Sequence, residues 1–323
     1  MTAATPAPGP SPAAPGALSH DDRWPRAGDW PTPDALAADE HARVAVVGIP
    51  TWRTSLSATG AGTTPAAVRA AVRRYSTYAG PVLGADGGVD LSDVRIVDAG
   101  DIEEPDGPEG EGRATAAVAA LAARAGLVVA LGGDNAATVP AALGAWGDRV
   151  DRAGLVTFDA HHDLRDGVSN GSPVRRLVEL GLAGTRVVQI GISDFANSRE
   201  YAARARDLGI TVISRGTLHR RPVEDLTAEA LEIAASAGGP VHVDVDVDVC
   251  DRAVAPACPA SVPGGLSADE LRRAVRTAAT DARVTSLDLV EVDAGADTPD
   301  GRTVRLTALC LLEAAVGAAL RHG

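Results

Sequence analysis

The chain has 323 residues, enough to bury a full core, and α/β folds of this size commonly form one domain. Its formal net charge of -13, with 30 basic residues that are all arginine, excludes the basic surface that nucleic-acid binding needs. Aromatic residues make up only 3%, so the core must be built from aliphatic strands and alanine-rich helices.

Residues 1–20 are low in complexity and rich in Pro and Ala, and read as a disordered tail ahead of a single domain over 21–323. They lack the basic start and continuous apolar stretch of a signal peptide. No later run approaches the roughly 20 apolar residues that span a bilayer. Three cysteines, Cys250, Cys258 and Cys310, form no CxxC pair, which fits packing in a reducing cytoplasm better than a disulfide scaffold.

From Arg43 onward, short apolar runs alternate with Ala-rich amphipathic stretches. Strands are predicted over 44–49, 94–98, 127–131, 155–159, 187–190, 210–213, 241–249 and 284–291. Helices are predicted over 65–75, 115–125, 136–143, 173–180, 198–207, 228–235, 268–279 and 304–320. Thr227 reads as the start of one helix, and Ser267-Ala268-Asp269-Glu270 has the form of a capping box. The loops over 50–55 and 101–111 are longer than minimal turns, and Gly60-Ala61-Gly62 lacks the third glycine of a nucleotide-binding turn. Alternating strands and helices predict a three-layer α/β fold: a central parallel sheet of about eight strands flanked by helices, with its site beyond the carboxyl ends of the strands.

Two strand ends carry the chemistry. Asp159-Ala160-His161-His162-Asp163 follows the apolar run 154–158, and residues 243–251 read VDVDVDVCD. Side-chain alternation along a strand would put Asp159, His161 and Asp163 on one face, and Asp244, Asp246 and Asp248 likewise. His162 would face the other way and be structural. Solvated acids at a sheet edge are the simpler account, but these runs continue apolar strands of the kind found at a sheet's centre. Several buried anions side by side cost several kcal/mol each unless cations neutralise them, so the pattern predicts a metal site. Oxygen donors with one imidazole suit Mn or Mg better than Zn.

With Gly132-Gly133-Asp134-Asn135 added to these two stretches and to the run from Pro256 to Gly264-Gly265, the chain resembles the ureohydrolase family of arginase, agmatinase and formimidoylglutamase. The resemblance implies an arginase-like catalytic domain with a binuclear Mn2+ centre. Asp159 and Asp246 would bridge both cations, Asp163 would serve one, and His161 and Asp248 the other. Asn135 stands where the family has a histidine ligand; an amide oxygen binds Mn more weakly, so the first cation should be labile. Asp244, where relatives often carry Ser, would be an extra ligand or an acceptor behind the ligands.

Two cations sharing a water lower its pKa, so the implied chemistry is attack of a metal-bridging hydroxide on a C=N carbon. Asp163 would shuttle the proton and Glu291 would pair with the amidinium. Asp163-Leu164-Arg165, residues 169–173, in which Asn170 takes the place of a shuttling histidine, and residues 191–198 are most similar to formimidoylglutamases. That implies hydrolysis of N-formimidoyl-L-glutamate to L-glutamate and formamide, a step of histidine degradation. Arg165, Asn170, Ser172 and Asn197 would bind the dicarboxylate, with Arg53 and Arg175 as further candidates. The acids of 101–111 keep open an agmatinase or guanidino-acid hydrolase that releases urea. The departure at Asn135 keeps open a ligand-binding protein without activity. The resemblance also implies a cytoplasmic homo-oligomer with a small-molecule substrate, and no nucleic-acid or membrane partner.

Overall fold

The computed structural model describes residues 18, 21–81 and 87–321, so the tail expected over 1–20 lies almost wholly outside the described residues. In chain order the elements are β1 (Ala42–Ile49), α1 (Thr64–Val72), β2 (Tyr78–Ala79), β3 (Val89–Asp90), β4 (Ile96–Asp101), α2 (Gly107–Ala122), β5 (Ala125–Gly132) and α3 (Thr138–Trp146). There follow β6 (Gly154–Phe158), α4 (Pro173–Glu179), β7 (Val187–Ile192), α5 (Arg199–Asp207), β8 (Thr211–Ser214), α6 (Arg215–Leu218) and α7 (Val223–Ala234). The last four are β9 (Val241–Asp246), α8 (Ala268–Thr280), β10 (Val284–Val290) and α9 (Arg302–Ala319).

Eight of the strands form one sheet in the order β4-β1-β5-β10-β9-β6-β7-β8, and every pairing in it is parallel. The short β2 and β3 pair antiparallel with each other outside it. The four strands β5, β10, β9 and β6 are sheet neighbours at its centre. Their residues are almost entirely buried, as expected of a parallel sheet covered on both faces. One face carries α1, α7, α8 and α9, whose Val68, Leu226, Leu271 and Leu311 pack in a single cluster with the strand valines and leucines. On the other face Val139 and Trp146 of α3 meet Val174 and Leu177 of α4 and Ala205 of α5. These are three layers, α/β/α.

Three short elements, β2, β3 and α6, have no counterpart in the sequence prediction, and the other differences lie at the ends of elements and have local causes. The strand over 241–249 stops at Asp246, because the Asp246 carboxylate accepts the Asp248 backbone N–H and turns Val247–Val249 into a 3-10 helix. Half of the expected loop over 101–111 is the first turn of α2, opened by Asp106 and with Pro108 among its first residues. Thr227 does not start its helix: it lies inside α7, where its hydroxyl donates to the Val223 carbonyl, and the first turn carries Glu224 and Asp225 instead. The capping box at Ser267 forms as its spacing predicts, with Ser267 and Glu270 each accepting the other's backbone N–H. No helix among the described residues is long and apolar enough to cross a membrane.

Candidate metal centre

The acids gather beyond the carboxyl ends of the four central strands, at the crevice where open α/β sheets bind ligands. Strand alternation does not aim them all. β6 ends at Phe158, and a turn follows in which the Asp159 carboxylate accepts the His161 N–H at 2.7 Å. Asp163 adopts a positive φ of 52° and Glu291 one of 64°. A non-glycine residue there costs on the order of 1–2 kcal/mol, a strain typical of functional sites. Asp248 likewise reaches the cluster from a 3-10 turn rather than from the strand. The turn at 132–135 needs its glycine, because a Cβ on Gly133 would lie 2.0 Å from the Thr51 carbonyl oxygen.

Two sets of potential ligand atoms result. Asp159, His161 and Asp248 form one, and Asp159, Asp163 and Asp246 the other; in each, one atom per residue lies within 4.8 Å of the rest. Asp159 belongs to both. Asp246, expected as a second bridge, joins only the set with Asp163. One oxygen of Asp159, Oδ2, is buried with no hydrogen-bond partner, so the residue shared by both sets points an unsatisfied anionic atom into the cluster.

The electrostatics of this cluster call for positive charge. Burial, then the Asp248 charge, raises Asp159 to about 6. Burial and the neighbouring carboxylates hold Asp163 and Asp246 well above the ordinary range. Burial and Asp248 raise Glu291 to about 8. Burial works against a charge on His161, but Asp248 and Asp159 overcome it and push the imidazole up to about 12. The same imidazole holds Asp248 below its usual value against the pull of burial. Such a concentration of buried carboxylates is what bound divalent cations would neutralise.

The remaining predicted residues separate by what their polar atoms touch. Asn135 donates through Nδ2 to Asp163 Oδ2 at 2.6 Å and Asp246 Oδ2 at 3.1 Å, while its Oδ1 accepts from the Thr138 hydroxyl. It therefore presents N–H groups, not an oxygen, to the acids. Glu291 is held at both oxygens, by the Asn135 backbone N–H and by Asn170 Nδ2, each at 2.9 Å. Arg165 lines a cavity of about 380 Å3 over the cluster, and its guanidinium makes no hydrogen bond or ion pair among the described residues. Asn197 lines it too, but its amide already binds the His162 N–H and the Ala160 carbonyl.

Ser172 departs from expectation. It is fully buried away from the cavity, and its hydroxyl is exchanged with the Ser169 backbone, so it shapes the loop instead of meeting a ligand. Arg175 binds the carbonyls of Arg165 and Gly167. Arg53 stacks on Trp52 and, with Glu104 and Asp106, lines a separate cavity. His162 faces away from the cluster, as alternation predicts, and bonds Gln189. His242, for which the sequence offers no partners, lies fully buried between Ser286 and Asp288. Three features of the cavity wall had weak signals: Leu56 and Ser57 on the long loop after β1, and Tyr201 at the third position after the Ser198 cap.

Residues 42–317 match the model of the arginase family. The chain belongs to the arginase family. This arginase-family chain is 32% identical to the formimidoylglutamase of Halalkalibacterium halodurans over 77% of its own length and 79% of that protein's. Its fold is similar to the crystal structure of formimidoylglutamase from Bacillus subtilis, with a TM-score of 0.85 at 29% identity, covering 96% of this chain and 97% of that one. It is also similar to the Trypanosoma cruzi formiminoglutamase solved with Mn2+, with a TM-score of 0.76 at 25% identity over 87% and 95% of the two chains.

Proposed function

We propose that this arginase-family chain hydrolyses a linear amidine at a binuclear manganese centre, and that the amidine is N-formimidoyl-L-glutamate, split into L-glutamate and formamide. The observation that carries the metal reading is Asp159, common to both ligand sets and with a buried oxygen that meets no donor. Oxygen-rich donors with a single imidazole fit Mn2+. Asp159, His161 and Asp248 would hold one cation, and Asp159, Asp163 and Asp246 the other. Turning the Asn135 amide over would offer Oδ1 to the cation held by Asp163 and Asp246 and Nδ2 to the Thr138 hydroxyl, which accepts as well as it donates. An amide oxygen is a weak ligand, so that cation is the more easily lost.

When bound, the cations would supply the Lewis acidity that brings the pKa of a water toward neutrality. The chain's own groups do the rest. Glu291, with one N–H on each oxygen, is fixed to accept hydrogen bonds from the amidinium nitrogens. Asp163 takes up the proton released by the attacking water and delivers it to the departing nitrogen, which leaves as the amine of glutamate. The unpaired guanidinium of Arg165 pairs with a substrate carboxylate.

Arg165 also favours this substrate over agmatine. Among the described residues the only carboxylates on the cavity wall belong to the acidic cluster and Glu291, and the acids near the start of α2 face the neighbouring cavity, so a cationic tail finds no further partner among them. The test is a parallel assay of Mn-loaded protein on formimidoylglutamate, agmatine, guanidinobutyrate and arginine, with formamide, urea and bound metal measured. Preference for formimidoylglutamate is expected. Turnover of agmatine alone would transfer the chain to the urea-releasing branch, and two bound Mn without turnover of any amidine would leave a binding protein.

A further inference from the structure

Asn170 uses both ends of its amide inside the protein. Its Oδ1 accepts the backbone N–H of Leu56 at 3.0 Å, and its Nδ2 donates to Glu291 Oε1 at 2.9 Å. A backbone N–H can only donate, so the Leu56 bond determines which end of the amide faces Glu291. The loop that carries Asn170 is itself held: Ser172 and Ser169 bond each other, and the Arg165 N–H reaches the Gly171 carbonyl.

Leu56 belongs to a strap that runs from β1 to α1 across the cavity. The strap is pinned at its near end by Ser55, whose hydroxyl donates to Asp134 at 2.6 Å, and at its far end by Gly60, whose N–H donates to Asp293 at 2.8 Å. Between these pins, over 56–59, the Asn170 bond is the only tie to a distant part of the chain among the described residues. Leu56 and Ser57 from this stretch line the cavity. One side chain therefore joins the wall of the cavity to the carboxylate at its base.

We propose that Asn170 is a positioning residue that couples the 56–59 strap to Glu291, so that the wall against which the substrate's tail lies and the acid that receives its amidinium are set together. The coupling rests on the functional reading above for the role of Glu291. It extends that reading by giving Asn170 a role toward the protein: each end of the amide is engaged by a protein partner, and its effect on catalysis passes through Glu291.

The test compares Asn170→Asp with Asn170→Ala in the Mn-loaded, full-length protein. Asp keeps the oxygen that accepts from Leu56 and loses the donor to Glu291; Ala loses both. Hydrogen exchange of the Leu56 amide should remain slow in Asn170→Asp and become fast in Asn170→Ala. Turnover of formimidoylglutamate should fall in both, roughly tenfold or more in kcat, because a misplaced polar group at the reacting centre costs that much. KM should rise further in Asn170→Ala than in Asn170→Asp. In a Glu291→Gln background, neither substitution should lower kcat further, since their effect passes through that carboxylate.

Equal exchange at Leu56 in the two variants overturns the coupling. So does a loss of kcat that persists in full in the Glu291→Gln background, or one that tracks bound Mn or melting temperature. A parent protein that turns over no amidine removes the functional reading, and the coupling then stands or falls on the exchange contrast alone.

Discussion

Asp244 on β9 and Asp288 on β10 stand side by side in register, both fully buried, and neither oxygen of Asp244 meets an N–H or O–H donor. Asp288 is well served, accepting the Val245 N–H and contacting His242. Asp244 faces it as a carboxyl group that bonds only by carrying a proton. Burial, followed by the Asp288 charge, raises Asp244 well above the ordinary carboxylate range.

Asp244→Asn supplies a permanent N–H2 donor toward Asp288 and removes a group that must be ionised against burial. An acid with a raised folded pKa binds its proton more tightly folded than unfolded, so its contribution to stability falls as pH rises above the unfolded value. The variant lacks that loss. Its melting temperature should match the parent's near pH 5 and exceed it at pH 8, by an amount corresponding to about 1–3 kcal/mol. A variant that melts lower at both pH values would show that the carboxyl group itself supports the fold.

The metal-free protein should become less stable between pH 6.5 and 8. His161, raised to about 12, and Glu291, raised to about 8, both hold protons in the folded state that their unfolded counterparts have released. Folded protein binds more protons than unfolded protein across this window, so stability declines as pH increases. Mn2+ must displace the protons of its ligands, that of His161 among them, which makes its affinity rise with pH and its binding release protons. Calorimetric titration of Mn2+ in two buffers of different ionisation enthalpy measures that release, and identical heats would contradict it.

Glu291→Gln keeps the size of the side chain and removes the negative charge that receives the amidinium. Loss of one aligned electrostatic partner at a reacting centre costs about 10²–10³ in kcat, and bound Mn should be unchanged because Glu291 is in neither ligand set. Metal analysis beside the kinetics separates this outcome from a collapsed site.

Arg165→Ala should raise KM for formimidoylglutamate about 10–100-fold, the cost of one charge-assisted pair, with a smaller effect on kcat. Arg165→Lys restores charge without the two-pronged geometry and should recover only part of it. Equal losses on a substrate without carboxylates would remove Arg165 from substrate recognition.

How much of this was legible beforehand differs from residue to residue. The runs that became β5 and β6 were plain because strands buried on both faces favour nearly continuous apolar stretches, and β9 and β10 were marked by the aliphatic residues that alternate with their polar ones. The acids that close those runs pointed to a cation site from their chemistry, since several uncompensated buried charges side by side are costly. Their aim was not legible. Alternation along a strand fails where Asp159 and Asp246 turn the chain by binding backbone N–H groups two residues on.

The sequence by itself thus determined the alternating strand and helix architecture and the cluster of acids, because these depend on residue type and short-range periodicity. Only the tertiary structure decided which donors are already spent. Ser172 and Asn197 look like substrate ligands in a linear reading, yet one is turned into its loop and the other binds the backbone of 160–162. Asn170 meets Leu56 and Glu291 from 114 and 121 residues away. A hydrogen bond is settled by distance in space, and residues that far apart along the chain become neighbours only when the sheet brings the ends of its strands together.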